Sequence, residues 1–168
     1  MGDQGDSDIL NGLIGRVTSR ARVTVERSAV TFFADAVCDP DPIYRDANAA
    51  RERGFSAIPA PPTFAFVMHH LGSFAELQPE GNPEGGLMAS LSAVTSQGGL
   101  ILHGEQSFSY SRSVLVGDEL DGVSTIVDAY AKESKGKVMT FIVSETVWNE
   151  ASSGDHVVST RFNLIHRR

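Results

Sequence analysis

The sequence predicts an α+β domain in which an antiparallel sheet curls around one long central helix. Three observations predict it. A strand-like segment near the start is followed only by helical segments and loops for some distance. One of these segments, 63–77, carries an apolar stripe at helical spacing. After Gly99 the pattern changes to four strand-like runs. Helices collected in one stretch of chain can cover one face of a single sheet, which is the layer arrangement such a segment order favours.

The elements follow in order. "RVTSRARVTVE" (16–26) alternates and is rich in valine and threonine, so it reads as the first strand. Ser28 is placed to cap a helix whose Val30, Phe33, Ala34 and Val37 share a face. Pro40 and Pro42 forbid its continuation. "RDANAARER" is a short second helix, stopped by Gly54. "SAIPAPP" is rigid and extended, and the next helix begins near Thr63. In it Phe64, Val67, Met68, Leu71 and Phe74 form the apolar stripe of a core helix. "QPEGNPEGG" (78–86) reads as a flexible excursion, and the chain from there to Gly99 gives no clear assignment. "HGEQSFSYSRSV" alternates, "DGVSTIVDAYAKE" and "KVMTFIVSETVWNE" are longer strands joined at Ser134-Lys135-Gly136, and "DHVVSTRFNLIHRR" follows a turn at Ser152-Ser153-Gly154. Four meandering strands around a central helix make a hot-dog fold. Its open sheet leaves an edge to be paired, so a dimer is expected.

Composition narrows the function classes. The 168 residues suit one domain, taken as 16–168 after a flexible tail over 1–15. A net charge of −7 argues against nucleic acid and against an anionic membrane surface as partners. The lone Cys38 excludes an internal disulfide and suits a reducing compartment. The acidic first residues lack a signal-peptide pattern, and no apolar run approaches the ~20 residues a membrane helix needs. A cytoplasmic protein is expected.

One stretch asks for a chemical reading: "CDPDPIYRDANAARERGF" (38–55), a crowded acidic loop running into a short helix. Its order is Asp39-Pro40-Asp41-Pro42-Ile43-Tyr44-Arg45-Asp46, then Ala50, Gly54-Phe55 and Ala60-Pro61-Pro62-Thr63. This resembles the signature of the MaoC-like hydratase/dehydratase family, the (R)-specific enoyl-CoA hydratases and 3-hydroxyacyl-thioester dehydratases. Their loop reads roughly D-x-N-P-x-H-x-D, then A-x-x-x-G-F, then A-H-G opening the central helix. The strand "LHGEQSFSYSRSVLVGDEL" (102–120) is similar to the family's N-terminal, FAS1-like dehydratase half. The mycobacterial carrier-protein dehydratase subunits belong to the same circle of relatives.

The resemblance implies a chemistry and two departures from it. Dehydrating a 3-hydroxyacyl thioester needs a proton taken from C2 and another delivered to the leaving hydroxyl, roles that an aspartate and a histidine share. A backbone N–H faces the thioester oxygen as it gains charge. Asp39 falls at the catalytic aspartate and Asp41 at the asparagine, where it holds the loop by side-chain-to-backbone bonds. Tyr44 falls at the histidine, and a phenol with a pKa near ~10 is a poor base. Pro62 falls at the glycine that supplies the oxyanion amide, and proline has no N–H.

The expectation is therefore the acyl-binding half of a hydro-lyase with an incomplete catalytic loop. Asp41, Pro62, Thr63 and Phe64 would contact substrate, and Asp39 and Tyr44 are the catalytic candidates. The implied partners are an acyl-CoA or acyl-carrier-protein thioester and a second hot-dog subunit. That subunit is either a copy of this chain or a MaoC-like chain with an intact loop. The alternatives are a self-sufficient homodimer using Asp39 with Tyr44 or a distant histidine, a hot-dog thioesterase, and a non-catalytic acyl-binding module. No cofactor is expected. No histidine pair has metal-ligand spacing, and one cysteine cannot build a zinc site. His70 reads as structural, alongside Phe66 and Phe74.

Overall fold

The computed structural model describes residues 3–68, 70, 76, 78–81, 83, 86–96, 98–134 and 136–168. Its frame is one five-stranded antiparallel sheet in the order β1-β3-β4-β5-β2. The strands are β1 (Val17–Thr24), β2 (Leu100–Tyr110), β3 (Glu119–Ser134), β4 (Lys137–Glu150) and β5 (His156–Arg167). The α-helices are α1 (Asp3–Asn11), α2 (Arg27–Ala36), α3 (Ala47–Glu52), α4 (Gly86–Ser90) and α5 (Ser92–Thr95). This is the α+β architecture of a hot-dog sheet.

The strands follow the alternation in the sequence, with buried and half-buried residues taking turns along β4. Only β3, β4 and β5 meander, however. β2 pairs with β5 at the far edge, and β1 takes the other edge beside β3. A meander of four strands was too simple, because alternation fixes which face a residue takes and leaves its partner open.

Other expectations meet differences. Residues 3–11 are helical where a tail was expected, and Leu10 and Leu13 are buried against Ile126, Ala129, Ile142 and Leu164. Apolar burial gives this otherwise weak helix its support. The cap of α2 is Glu26 rather than Ser28, and it makes no side-chain capping bond. The segment 63–77 opens with a 3₁₀ turn, Phe64–Phe66, instead of an α-helical turn. Among its described residues the backbone bonds are of the tight type: Phe64 N–H to Pro61, Phe66 to Thr63, Val67 to Phe64 and His70 to Val67. Pro61 and Pro62 start the chain there without amide donors. His69, Leu71, Phe74 and the rest of 71–75 and 77, on which the expected central helix falls, lie outside the described residues.

The concave face of the sheet is organised in rows set by register. Gly122, Trp148 and Val158 stand in one row, with Trp148 fully buried. A Cβ on Gly122 would lie 2.5 Å from the Trp148 ring carbons, so only glycine lets the indole settle. The next row is Ser124, Thr146 and Thr160, and the one after is Ile126, Ser144 and Phe162. Ala129, Ile142 and Leu164 follow. Apolar packing is thereby split into two clusters. One surrounds Trp148, Leu120, Val30, Phe64 and Met68, and the other surrounds Leu91, Ile126, Ile142 and Leu164. A band of hydroxyls lies between them.

Candidate functional site

The loop after α2 is built by its own polar groups. Cys38 takes a left-handed conformation (φ 56°) at the position after the helix cap, where glycine is usual. Cys38 N–H bonds the Asp35 carbonyl (3.0 Å) and Asp39 N–H bonds the Ala34 carbonyl (2.9 Å), the double closure of a Schellman motif. Asp39 then accepts from the Asp41 N–H (3.0 Å), and Asp41 accepts from the Ile43 N–H (3.1 Å). These bonds lead into a 3₁₀ turn, Pro42–Tyr44. Asp46 caps α3 by accepting from the Asn48 and Ala49 amides, and Gly54 ends it at φ +88°. The second oxygen of Asp41 takes the Arg53 guanidinium at 2.8 Å, tying the far end of α3 back to the loop.

Asp39, Asp41 and Tyr44 are thus brought together, but in unequal settings. Asp39 and Asp41 are half-buried. Tyr44 is 8% exposed and packs with Ala34, Ile43 and Phe55. Burial, reinforced by the Asp39 and Asp41 carboxylates and opposed by Arg53, holds its phenol above the ordinary tyrosine range. A phenol so held keeps its proton at neutral pH.

Pro62, Thr63 and Phe64 sit on the following segment. Pro62 and Thr63 are exposed, while Phe64 is buried and meets Phe33 of α2 edge-on at 5.5 Å. The connection between β2 and β3 holds this segment through Leu115, paired with Pro59, and through the Val114 carbonyl, which accepts from the Ala60 N–H. The Tyr110 hydroxyl donates to the Pro62 carbonyl at 2.6 Å. Burial pushes the Tyr110 phenol up to about 12, so it stays a donor. At Pro62 the chain therefore presents a carbonyl already bonded and no amide.

The histidines are dispersed. His103 meets Phe66 at 5.7 Å and Phe162 at 4.7 Å, and His156 lies between the Ser111 and Ser159 hydroxyls. His166 is buried against the Gly98 carbonyl, and His70 is exposed, unlike the packed position expected for it. Among the described residues no histidine is bonded to Asp39.

Two long-range contacts and a row of hydroxyls escaped the sequence reading. The Tyr110–Pro62 bond and the Arg53–Asp41 pair join positions far apart in sequence or on opposite ends of a helix, and no local pattern announces them. The serines and threonines of the hydroxyl band look like ordinary strand residues until register lines them up.

Comparison with known proteins gives a consistent picture. The model of the FAS1-like, dehydratase domain region matches residues 12–160. A UPF0336 protein of Thermobifida fusca is 34% identical over 143 residues, covering 85% of this chain and 83% of that one. A UPF0336 protein of Streptomyces avermitilis is 35% identical over 143 residues, covering 85% and 84%. Among solved structures, the ChsH1-ChsH2 complex of Mycobacterium tuberculosis is similar at a TM-score of 0.72 and 18% identity, covering 95% of this chain and 87% of that one. The HadBC (3R-hydroxyacyl-ACP dehydratase) complex of the same organism is similar at 0.66 and 19%, covering 91% and 96%.

Proposed function

Because the chain belongs to the FAS1-like dehydratase domain family, together with the UPF0336 proteins, we propose that it is one half of a hydro-lyase acting on 3-hydroxyacyl or enoyl thioesters of CoA or acyl carrier protein. It is the half that holds the acyl group, and a second hot-dog subunit supplies the aspartate–histidine pair. One observation supports this reading: Tyr44, which the resemblance aligns with the family's base, is a buried packing residue whose phenol is held protonated. The bonded, amide-less Pro62 supports it, since proton transfer and oxyanion binding would be missing together.

The sheet favours pairing with another subunit. β2 is an edge strand with Leu100, Ile101, Leu102 and Tyr110 exposed on it, an unprotected edge that a partner strand or helix would cover. The HadBC and ChsH1-ChsH2 structures are complexes of two chains, which supports the same expectation. Asp39 is retained in the loop as a structural acceptor for the Asp41 amide, with Asp41, Thr63 and Phe64 at the edge of the acyl site. No helix among the described residues is long and apolar enough to cross a membrane, and we take the cytoplasm as the working compartment.

The test is hydration of crotonyl-CoA and longer enoyl-CoA esters by the purified chain, followed by addition of a MaoC-like subunit with an intact D-x-N-P-x-H loop. The chain alone should be inactive and the pair active. Robust hydration by the chain alone, abolished by Asp39→Asn, would instead establish a self-sufficient enzyme.

A further inference from the structure

A cavity of about 140 Å³ opens between the 3₁₀ turn at Phe64–Phe66 and the concave face of the sheet. Its roof is Ala65 and Phe66, immediately after the Pro62–Thr63 segment. Its floor is the hydroxyl band, reached from four strands: Thr18, Ser124, Ser144, Thr146 and Thr160, with Gln106 at the side. In a fold of this kind the position beneath the turn is where apolar side chains would be expected to meet.

Three of the hydroxyls satisfy one another or the backbone. Ser124 and Thr146 share a bond of 2.7 Å, and Thr18 donates to the Ser124 carbonyl. Ser144 and Thr160 differ. They are 7% and 6% exposed, they line the cavity, and neither hydroxyl has a partner among the described residues. Both hydroxyls face a half-open cavity, and a hydroxyl without a protein partner there is matched to a polar occupant. Water alone would satisfy them, and so would an oxygen on a ligand.

We propose that this band binds an oxygen substituent on the acyl chain, so that the preferred thioester carries a hydroxyl or carbonyl group remote from the sulfur. The inference rests on the acyl-thioester reading above. A saturated chain entering here would strip Ser144 and Thr160 of any hydrogen bond, and that loss exceeds what a methylene gains on leaving water. A chain with an oxygen at the same depth keeps both. The volume suits about six non-hydrogen atoms, comparable to a benzene-sized cavity, so the substituted part is short.

The experiment compares hexanoyl-CoA with its ω-hydroxy counterpart by calorimetric titration of the full chain. Thr160→Val and Ser144→Ala serve as variants, each checked first by thermal melting. The wild type should bind the hydroxylated ester about tenfold more tightly, and either variant should lose that preference while still binding hexanoyl-CoA. Equal or tighter binding of the saturated ester by the wild type would overturn the inference and leave the acyl-thioester reading standing. If neither ester binds while butanediol raises the melting temperature and Thr160→Val removes that rise, the inference is overturned too, and the band is a polar site for a ligand other than a thioester. No ester binding and no diol effect would overturn the inference, leaving a band that only water occupies.

Discussion

The loop over residues 38–53 and the hydroxyl band across the sheet are both rich in polar side chains, and they use them in opposite ways. In the loop, Asp39, Asp41 and Asp46 each accept from a backbone amide, and Asp41 also holds Arg53. Hydrogen-bonding capacity there goes into shape. In the band, Ser144 and Thr160 keep theirs unspent at the wall of a cavity. On the function proposed above, the segment that looks like an active site serves as a scaffold. The segment that looks like ordinary strand has the free chemistry.

The contrast is broken most forcefully at Tyr44. If the loop is scaffold, Tyr44→Ala should cost about 3–5 kcal/mol, as for other buried aromatics. At ~2–4 °C per kcal/mol for a chain of this size, melting should fall by roughly 6–20 °C. Tyr44→Phe should stay close to wild type. An unchanged melting temperature for Tyr44→Ala would mean the ring is not part of the core.

A paired measurement sharpens it. Asp41→Ala removes a turn acceptor and the Arg53 partner, and should destabilise by about 1–2 kcal/mol. Thr160→Val removes a hydroxyl without a partner, and should be neutral or stabilise by up to ~1 kcal/mol. Opposite signs in denaturant titrations are the expected outcome; the same sign for both would erase the distinction.

The smallest effect concerns Tyr110, which links the two regions through Pro62. Its phenol stays protonated to about 12 in the fold, while an unfolded tyrosine ionises near ~10. Between those values the unfolded chain binds fewer protons, so this contribution is full below pH ~10 and is lost as the pH rises toward 12. Alkaline melting curves should therefore be steeper for wild type than for Tyr110→Phe.

Much of this was legible in the chain itself. The limits of β4 coincide with the run "KVMTFIVSETVWNE", because its alternation is unbroken and turn residues bound it. The local bonds of Asp41 and Asp46 follow from aspartates two residues before the amides they accept from. Other features depend on contacts between distant residues. α1 is helical through Leu10 and its docking site, and β2 joins β5 through a register no local pattern states. The 3₁₀ start at Phe64 reflects a competition at two consecutive prolines that an apolar stripe does not reveal. The hydroxyl band exists only once Ser124, Thr146 and Thr160 stand in one row.

Trp148 is the only tryptophan in the chain, and it is fully enclosed above Gly122 on one side of the hydroxyl band. Its fluorescence accordingly belongs to the cluster that also holds Val30 and Phe64, next to the loop. The cluster around Leu91 and Ile142 contributes no indole signal of its own. Circular dichroism averages over the whole sheet. The two spectroscopies thus watch different volumes of the same molecule, and superimposable unfolding curves from them would demonstrate that a core divided by hydroxyls still melts as one cooperative unit.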